Sequence, residues 1–167
     1  APILLITSPA NNTIPAVTMA SDNSSATVTI SGEALDSVGC TYLEFVWVPD
    51  TIAASGKTSL AKELLSTITS EQDHTALLSA SPKTYDSGLK LWAVSLGEAS
   101  LYENSGLYKQ DFSFDVDLFN DFICSGINEK ASDKSFVAKL TRKDGNVTYA
   151  EYKLLADTDL PTIVPLS

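Results

Sequence analysis

An all-β, antiparallel two-sheet sandwich carrying a helical insertion is the fold class this sequence predicts, and three observations predict it. Most apolar residues fall in runs of period two, the spacing at which successive side chains point to opposite faces of a sheet. Turn residues punctuate those runs: Ser8-Pro9-Ala10-Asn11-Asn12, Gly32, Pro49 and Asp144-Gly145. Between residues 49 and 88 the alternation stops and apolar residues recur at helical spacing. About seven half-buried strands of this kind favour two sheets packed face to face.

In chain order, Ile3 to Thr7 reads as a short strand and Ile14 to Met19 as a second. Ser25 to Ser31 alternates, with Ala26, Val28 and Ile30 on one face and Thr27, Thr29 and Ser31 on the other. Thr41 to Val48 sets Leu43, Phe45 and Trp47 against Tyr42, Glu44 and Val46, and Pro49 closes it. Leu60, Ala61, Leu64, Leu65 and Ile68 then form an apolar stripe that predicts a helix over about residues 59–70, with Thr58 or Ser59 as its N-cap. Ala76-Leu77-Leu78 is a second apolar scrap. Strands resume at Leu89 to Leu96. The run from Tyr108 to Leu118 follows, with Gln110, Phe112, Phe114 and Val116 opposite Lys109, Asp111, Ser113, Asp115 and Asp117. A loop containing Phe119, Phe122, Ile123 and Cys124 leads to an exit hairpin. There Phe136, Ala138 and Leu140 alternate with Val137, Lys139 and Thr141, Asp144-Gly145 supplies the turn, and Val147 to Leu155 returns. Asp157-Thr158-Asp159-Leu160-Pro161 breaks the pattern. The expected organisation is one domain over residues 1–160, with a linker or the start of a following unit at 161–167.

The 167 residues suffice for a sizeable core, and no run approaches the roughly 18 apolar residues of a membrane-spanning helix. Acidic residues outnumber basic ones by 21 to 11, for a net charge of −10, and Arg142 is the single arginine. That balance argues against nucleic-acid binding, which needs Lys and Arg to neutralise phosphates. Cys40 and Cys124 could close a disulfide in an oxidising compartment or remain two buried thiols. With His74 as the one histidine, a zinc-type site is not expected.

The opening ILLITSPANN, the run ATVTISGEALD and the exit AEYKLLADTDLPTI resemble the entry, second strand and exit of tandem bacterial immunoglobulin-like repeats. The resemblance covers roughly the first 48 and the last 60 residues, and the span 49–88 departs from it. It implies an Ig-like module of a larger cell-surface or secreted protein, extracellular and non-catalytic, acting as spacer and adhesion element. Its implied partners are neighbouring domains of the same chain and a host or cell-surface protein or glycan. No cofactor is implied.

Four features could carry chemistry. Gly56-Lys57-Thr58 precedes a helical stripe, as a phosphate-binding loop would, but that motif needs a glycine where Thr51 stands. A capped helix start is the stronger reading. Asp144, Asp157 and Asp159 could share a calcium ion, yet no D-x-D-x-D-G loop is present and solvated turn acids explain them. Tyr85, Trp92, Tyr102 and Tyr108 are the candidates for a sugar-stacking platform, which makes a carbohydrate-binding module the runner-up function. Against it, Trp47 and Trp92 suit a core between sheets. The sequons at Asn11, Asn23 and Asn146 read as turn residues.

Overall fold

A computed structural model describes residues 1–122 and 132–156 and contains ten β-segments and two helices. The segments are β1 (Ile3–Ser8), β2 (Thr18–Met19), β3 (Ala26–Asp36), β4 (Cys40–Trp47), β5 (Lys83–Thr84), β6 (Lys90–Val94), β7 (Ser100–Tyr102), β8 (Leu107–Asp117), β9 (Lys134–Arg142) and β10 (Val147–Leu154). Helices α1 (Ala54–Leu65) and α2 (Glu71–Ala80) lie between β4 and β5. One sheet has the order β1-β3-β8-β7, with β2 also on β3, and the other the order β10-β9-β4-β6-β5. Every ladder is antiparallel.

The two sheets pack as a sandwich because the alternation gives each an apolar inner face. Val28, Ile30, Phe112 and Val116 of the first sheet meet Leu43, Phe45, Trp47, Trp92, Phe136 and Leu140 of the second, all buried. Aromatic rings fill the centre. Phe122 stands edge-on to Trp47 at 5.1 Å and to Phe136 at 5.8 Å, and Trp92 meets Phe136 at 5.7 Å, the geometry that ring quadrupoles favour.

Two polar details set the spacing of the layers. The Gln110 side chain on β8 imitates a strand: its Oε1 accepts from the Cys40 amide (2.8 Å) and its Nε2 donates to the Cys40 carbonyl (3.0 Å), tying the sheets together. At Gly32 a Cβ would stand 2.0 Å from the Leu5 carbonyl oxygen, so only glycine lets β1 seat on β3 there. The Asp36 carboxylate accepts from the amides of Val38 and Gly39 and shapes the turn into β4, where Gly39 has φ 112°.

The second sheet is buried on both faces. Its outer face carries Val46, Leu91, Ala93 and Val137, and the helices cover it with Ala61, Leu65, Ile68 and Leu77. The molecule therefore has three layers along part of its width. Three expectations are corrected here. Helix α1 starts at Ala54, with Ala53 as N-cap and no side-chain bond, and ends at Leu65, not Ile68 or beyond. Burial of Ala61 and Leu65 and the Lys57–Asp50 ion pair (2.6 Å) hold its weakly helical Ser-Gly start. The Ala76-Leu77-Leu78 scrap belongs to a full helix, α2, whose N-cap Ser70 accepts from the Asp73 amide at 3.1 Å. The short segments β5 and β7 add to the strands expected from sequence, and Ile14 to Val17 is not strand.

Candidate functional site

Where the helices meet the second sheet, two places among the described residues concentrate polar chemistry. The first is sealed. Register places Ala93, Glu44, Lys139 and Tyr149 in one row across the outer face. Glu44 is fully buried, and His74 and Lys139 are each 4% exposed. The Glu44 carboxylate meets His74 Nδ1 at 2.5 Å, bringing α2 down on β4. Lys139 Nζ donates to the carbonyls of Leu65 (2.9 Å), at the end of α1, and Ile68 (2.6 Å), in the turn that follows it. Burial lowers the Lys139 pKa, and the nearby Glu44 charge opposes part of that shift. The Tyr42 ring stacks 4.8 Å from the imidazole.

A histidine held by a carboxylate is the arrangement of a general base. Here it is closed off by packing, and it acts as a clamp holding both helices to the sheet. Sequence reasoning missed it because Glu44 and Lys139 sit on the strand faces that alternation assigns to solvent. The signal was available: Val46 and Val137 share those faces, which marks them as covered.

The second place is open. A groove of about 250 Å³ lies beside α1 over the start of β9 and the end of β10, lined by Asn11, Asn12, Lys57, Thr58, Glu151 and Lys153 above a floor that includes Val46, Val48 and Val137. Ser135 and Lys153 are register partners, as are Val137 and Glu151, so these side chains share the outer face. Lys57 is engaged by Asp50, whose carboxyl is held below its usual range: burial opposes this, and the Lys57 and Ser132 hydrogen bonds outweigh burial. Thr58 Oγ1 reaches Glu151 at 3.5 Å.

The residues singled out in the sequence do not assemble. Trp92 is 2% exposed in the aromatic core, as is Trp47 at 0%. Tyr85 is half-buried against the apolar cluster of the helices and second sheet, where burial raises its pKa. Tyr102 pairs with Leu107 and Leu101 with Tyr108, so Tyr102 and Tyr108 fall on opposite faces of the first sheet. No common plane joins the four. Gly56-Lys57-Thr58 lies within the first turn of α1, and the Gly56 amide is bonded to the Ala53 carbonyl. No glycine loop of free amides precedes the helix at these residues. Asp144 is bound by Arg142 in the hairpin turn and its pKa falls to about 2, whereas Asp157 and Asp159 lie outside the described residues. Cys40 is a buried free thiol and Cys124 also lies outside them. Among the described residues no group of three His, Cys, Asp or Glu could hold a metal ion, and no helix is long and apolar enough to cross a membrane.

Comparison of the chain with known protein families, with characterised proteins and with solved structures finds no match.

Proposed function

We propose that this chain is an immunoglobulin-like spacer module of a larger bacterial surface or secreted protein. On this reading it holds its neighbours apart and presents a protein-binding surface, without catalysis. The observation that carries the reading is where the chain enters and leaves. The Pro2 carbonyl accepts from Thr148 at the start of β10 (2.7 Å), and the Leu155 amide donates to the Thr13 carbonyl past its end (2.9 Å). Seven residue steps of strand, about 23 Å, separate those points. Tension along the chain therefore runs along β10 and loads its eight-residue ladder to β9 in shear, all rungs together. The strand order adds support: β1-β3-β8-β7 against β10-β9-β4-β6 is the order A-B-E-D against G-F-C-C′ of immunoglobulin sandwiches. The entry and exit motifs agree with it.

A platform built on Trp92 requires an exposed indole, and the indole is in the core. Force spectroscopy on the chain held at its two ends tests the spacer reading. A single all-or-none unfolding event is expected, and stepwise peeling at low force would overturn it. A thermal-shift panel runs beside it with glycans, calcium and Mg-ATP. A ligand at about a hundred times its Kd adds about 2.7 kcal/mol, a rise of roughly 5–10 °C for a chain of this size. A glycan shift would replace the spacer reading with the carbohydrate-binding one, and a Mg-ATP shift lost in Lys57→Ala would replace it with nucleotide binding.

A further inference from the structure

We propose that the free edge of β10 accepts an extended acidic peptide from a partner polypeptide as an added strand. The proposal rests on sheet geometry and stands apart from the spacer reading. In an antiparallel ladder, alternate residues direct both backbone groups away from the neighbour. Lys153 shows which set points outward: its amide donates to Asn11 Oδ1 (2.8 Å) and its carbonyl accepts from the Asn12 amide (2.9 Å). The same alternation turns Glu151, Tyr149 and Val147 outward. Among the described residues none of their outward amides or carbonyls has a hydrogen-bond partner.

Sheets usually protect such edges by keeping them short or covered. The opposite edges follow that rule, since β5 has two residues and β7 three. By contrast β10 has eight. The chain bonds to the outward backbone of this edge only from Lys153 onward, where the isolated parallel bridge of Thr13 with Leu154 already shows an added segment in place; at the other end the Pro2 carbonyl takes the Thr148 hydroxyl and leaves the outward backbone groups of Val147, Tyr149 and Glu151 open. The open stretch borders the groove of Lys57, Thr58, Glu151 and Lys153. A strand laid on this edge would send alternate side chains over that groove. Charge selects what enters. Lys57 is held by Asp50, whereas Lys153 makes no ion pair among the described residues. A carboxylate on the added strand would complete it, which makes the fitting segment extended, β-branched and acidic at its centre.

The test is amide NMR titration of the whole chain with the capped peptide Thr-Val-Asp-Val-Thr at millimolar concentration. Perturbations confined to residues 147–153, 11–13 and 57–58 are expected. Three further arms separate the causes. Glu151→Pro removes one outward amide and no rung to β9, so folding, checked by its melting curve, should persist while affinity falls at least tenfold. Lys153→Glu should weaken binding of the Asp peptide about threefold to fivefold and spare the peptide with Asn at its centre. A peptide N-methylated on the pairing amides should not bind. Absence of any perturbation, perturbations elsewhere, or unchanged affinity in Glu151→Pro would overturn the proposal. So would a concentration-dependent dimer in sedimentation that Glu151→Pro abolishes, because the edge would then belong to a second copy.

Discussion

Replacing Lys139 by Met tests whether the buried clamp holds the helices to the sheet. Methionine keeps the apolar stem and removes the ammonium, so packing is nearly unchanged. What is lost is specific: the donors to the Leu65 and Ile68 carbonyls, and an ammonium whose charge interacts with the buried Glu44 carboxylate. Stranding one partner of a buried charged set costs about 3–5 kcal/mol. Relief from burying the ammonium works the other way, as the lowered Lys139 pKa records, and it places the expected loss at the lower end, about 3 kcal/mol. At about 2–4 °C per kcal/mol for a chain of this size, the melting midpoint should fall by about 6–12 °C. The pH dependence carries a sign of its own. Folded Lys139 gives up its proton more readily than unfolded Lys139, so its charge opposes folding. That opposition is relieved as pH rises through the depressed value toward the ordinary one near 10.5. Lys139→Met should remove this rising contribution. The assay is thermal unfolding followed by circular dichroism, with Glu44→Met/Lys139→Met as control. Replacing both charges should recover much of the loss, since apolar substitutes for a buried pair are often neutral. A Lys139→Met midpoint within about 2 °C of the parent, or a double variant worse than the sum of the singles, would refute the clamp.

Three further outcomes follow from the geometry. Gly32→Ala sets a Cβ 2.0 Å from the Leu5 carbonyl and 2.9 Å from Ile6 Cα, so β1 must lift; a loss of about 3 kcal/mol and faster amide exchange over Ile3–Ile6 are expected. The Cys40 thiol is pushed up to about 11, chiefly by burial. Because the folded value exceeds the unfolded one, its contribution is intact below pH 9 and is lost as pH climbs through 11, about 3 kcal/mol in all. Tyr152, also raised by burial, deepens the same alkaline decline. Urea midpoints at successive pH values should show it, with a shallower fall in Cys40→Ala. Trp92→Ala should cost about 3–5 kcal/mol as a core truncation and leave glycan titrations flat; a near-silent substitution would place the indole at the surface instead.

The sandwich was legible because its inner faces obey a period of two. Val28, Ile30, Phe112, Val116, Phe136 and Leu140 are each predicted inward and each buried. The outer face of the second sheet was not legible, because a covered strand face can carry Glu44 and Lys139 beside Val46 and Val137 only if something else supplies their hydrogen bonds. That something is His74 and the end of α1, both distant in sequence. Helix α2 escaped for a related reason. Only His74 and Leu77 of it are buried, too few for an apolar stripe, and the capping pair Ser70 and Asp73 was the stronger local signal. The groove has no local signature at all. It combines residues from the turn after β1, the start of α1 and the last hairpin, which topology alone brings together.

The helical layer changes what the second sheet can offer. An uncovered outer face would present Val46, Leu91, Ala93 and Val137 to solvent, an apolar patch fit for broad docking. With α1 and α2 seated and the Glu44, His74 and Lys139 side chains sealed beneath them, that face is spent on stability. On the strand-addition proposal, recognition falls where the layer stops, at the rim of Lys57 and Thr58 against β9 and β10. The insertion on this account acts less as a binding element than as a wall, leaving of the open sheet face the groove beside α1 and the edge of β10. Variants that loosen the clamp without unfolding the sandwich should therefore broaden binding as well as weaken it. Lys139→Met, held below its melting transition, should lose discrimination between acidic and neutral extended peptides, and unaltered discrimination would separate the wall from the site.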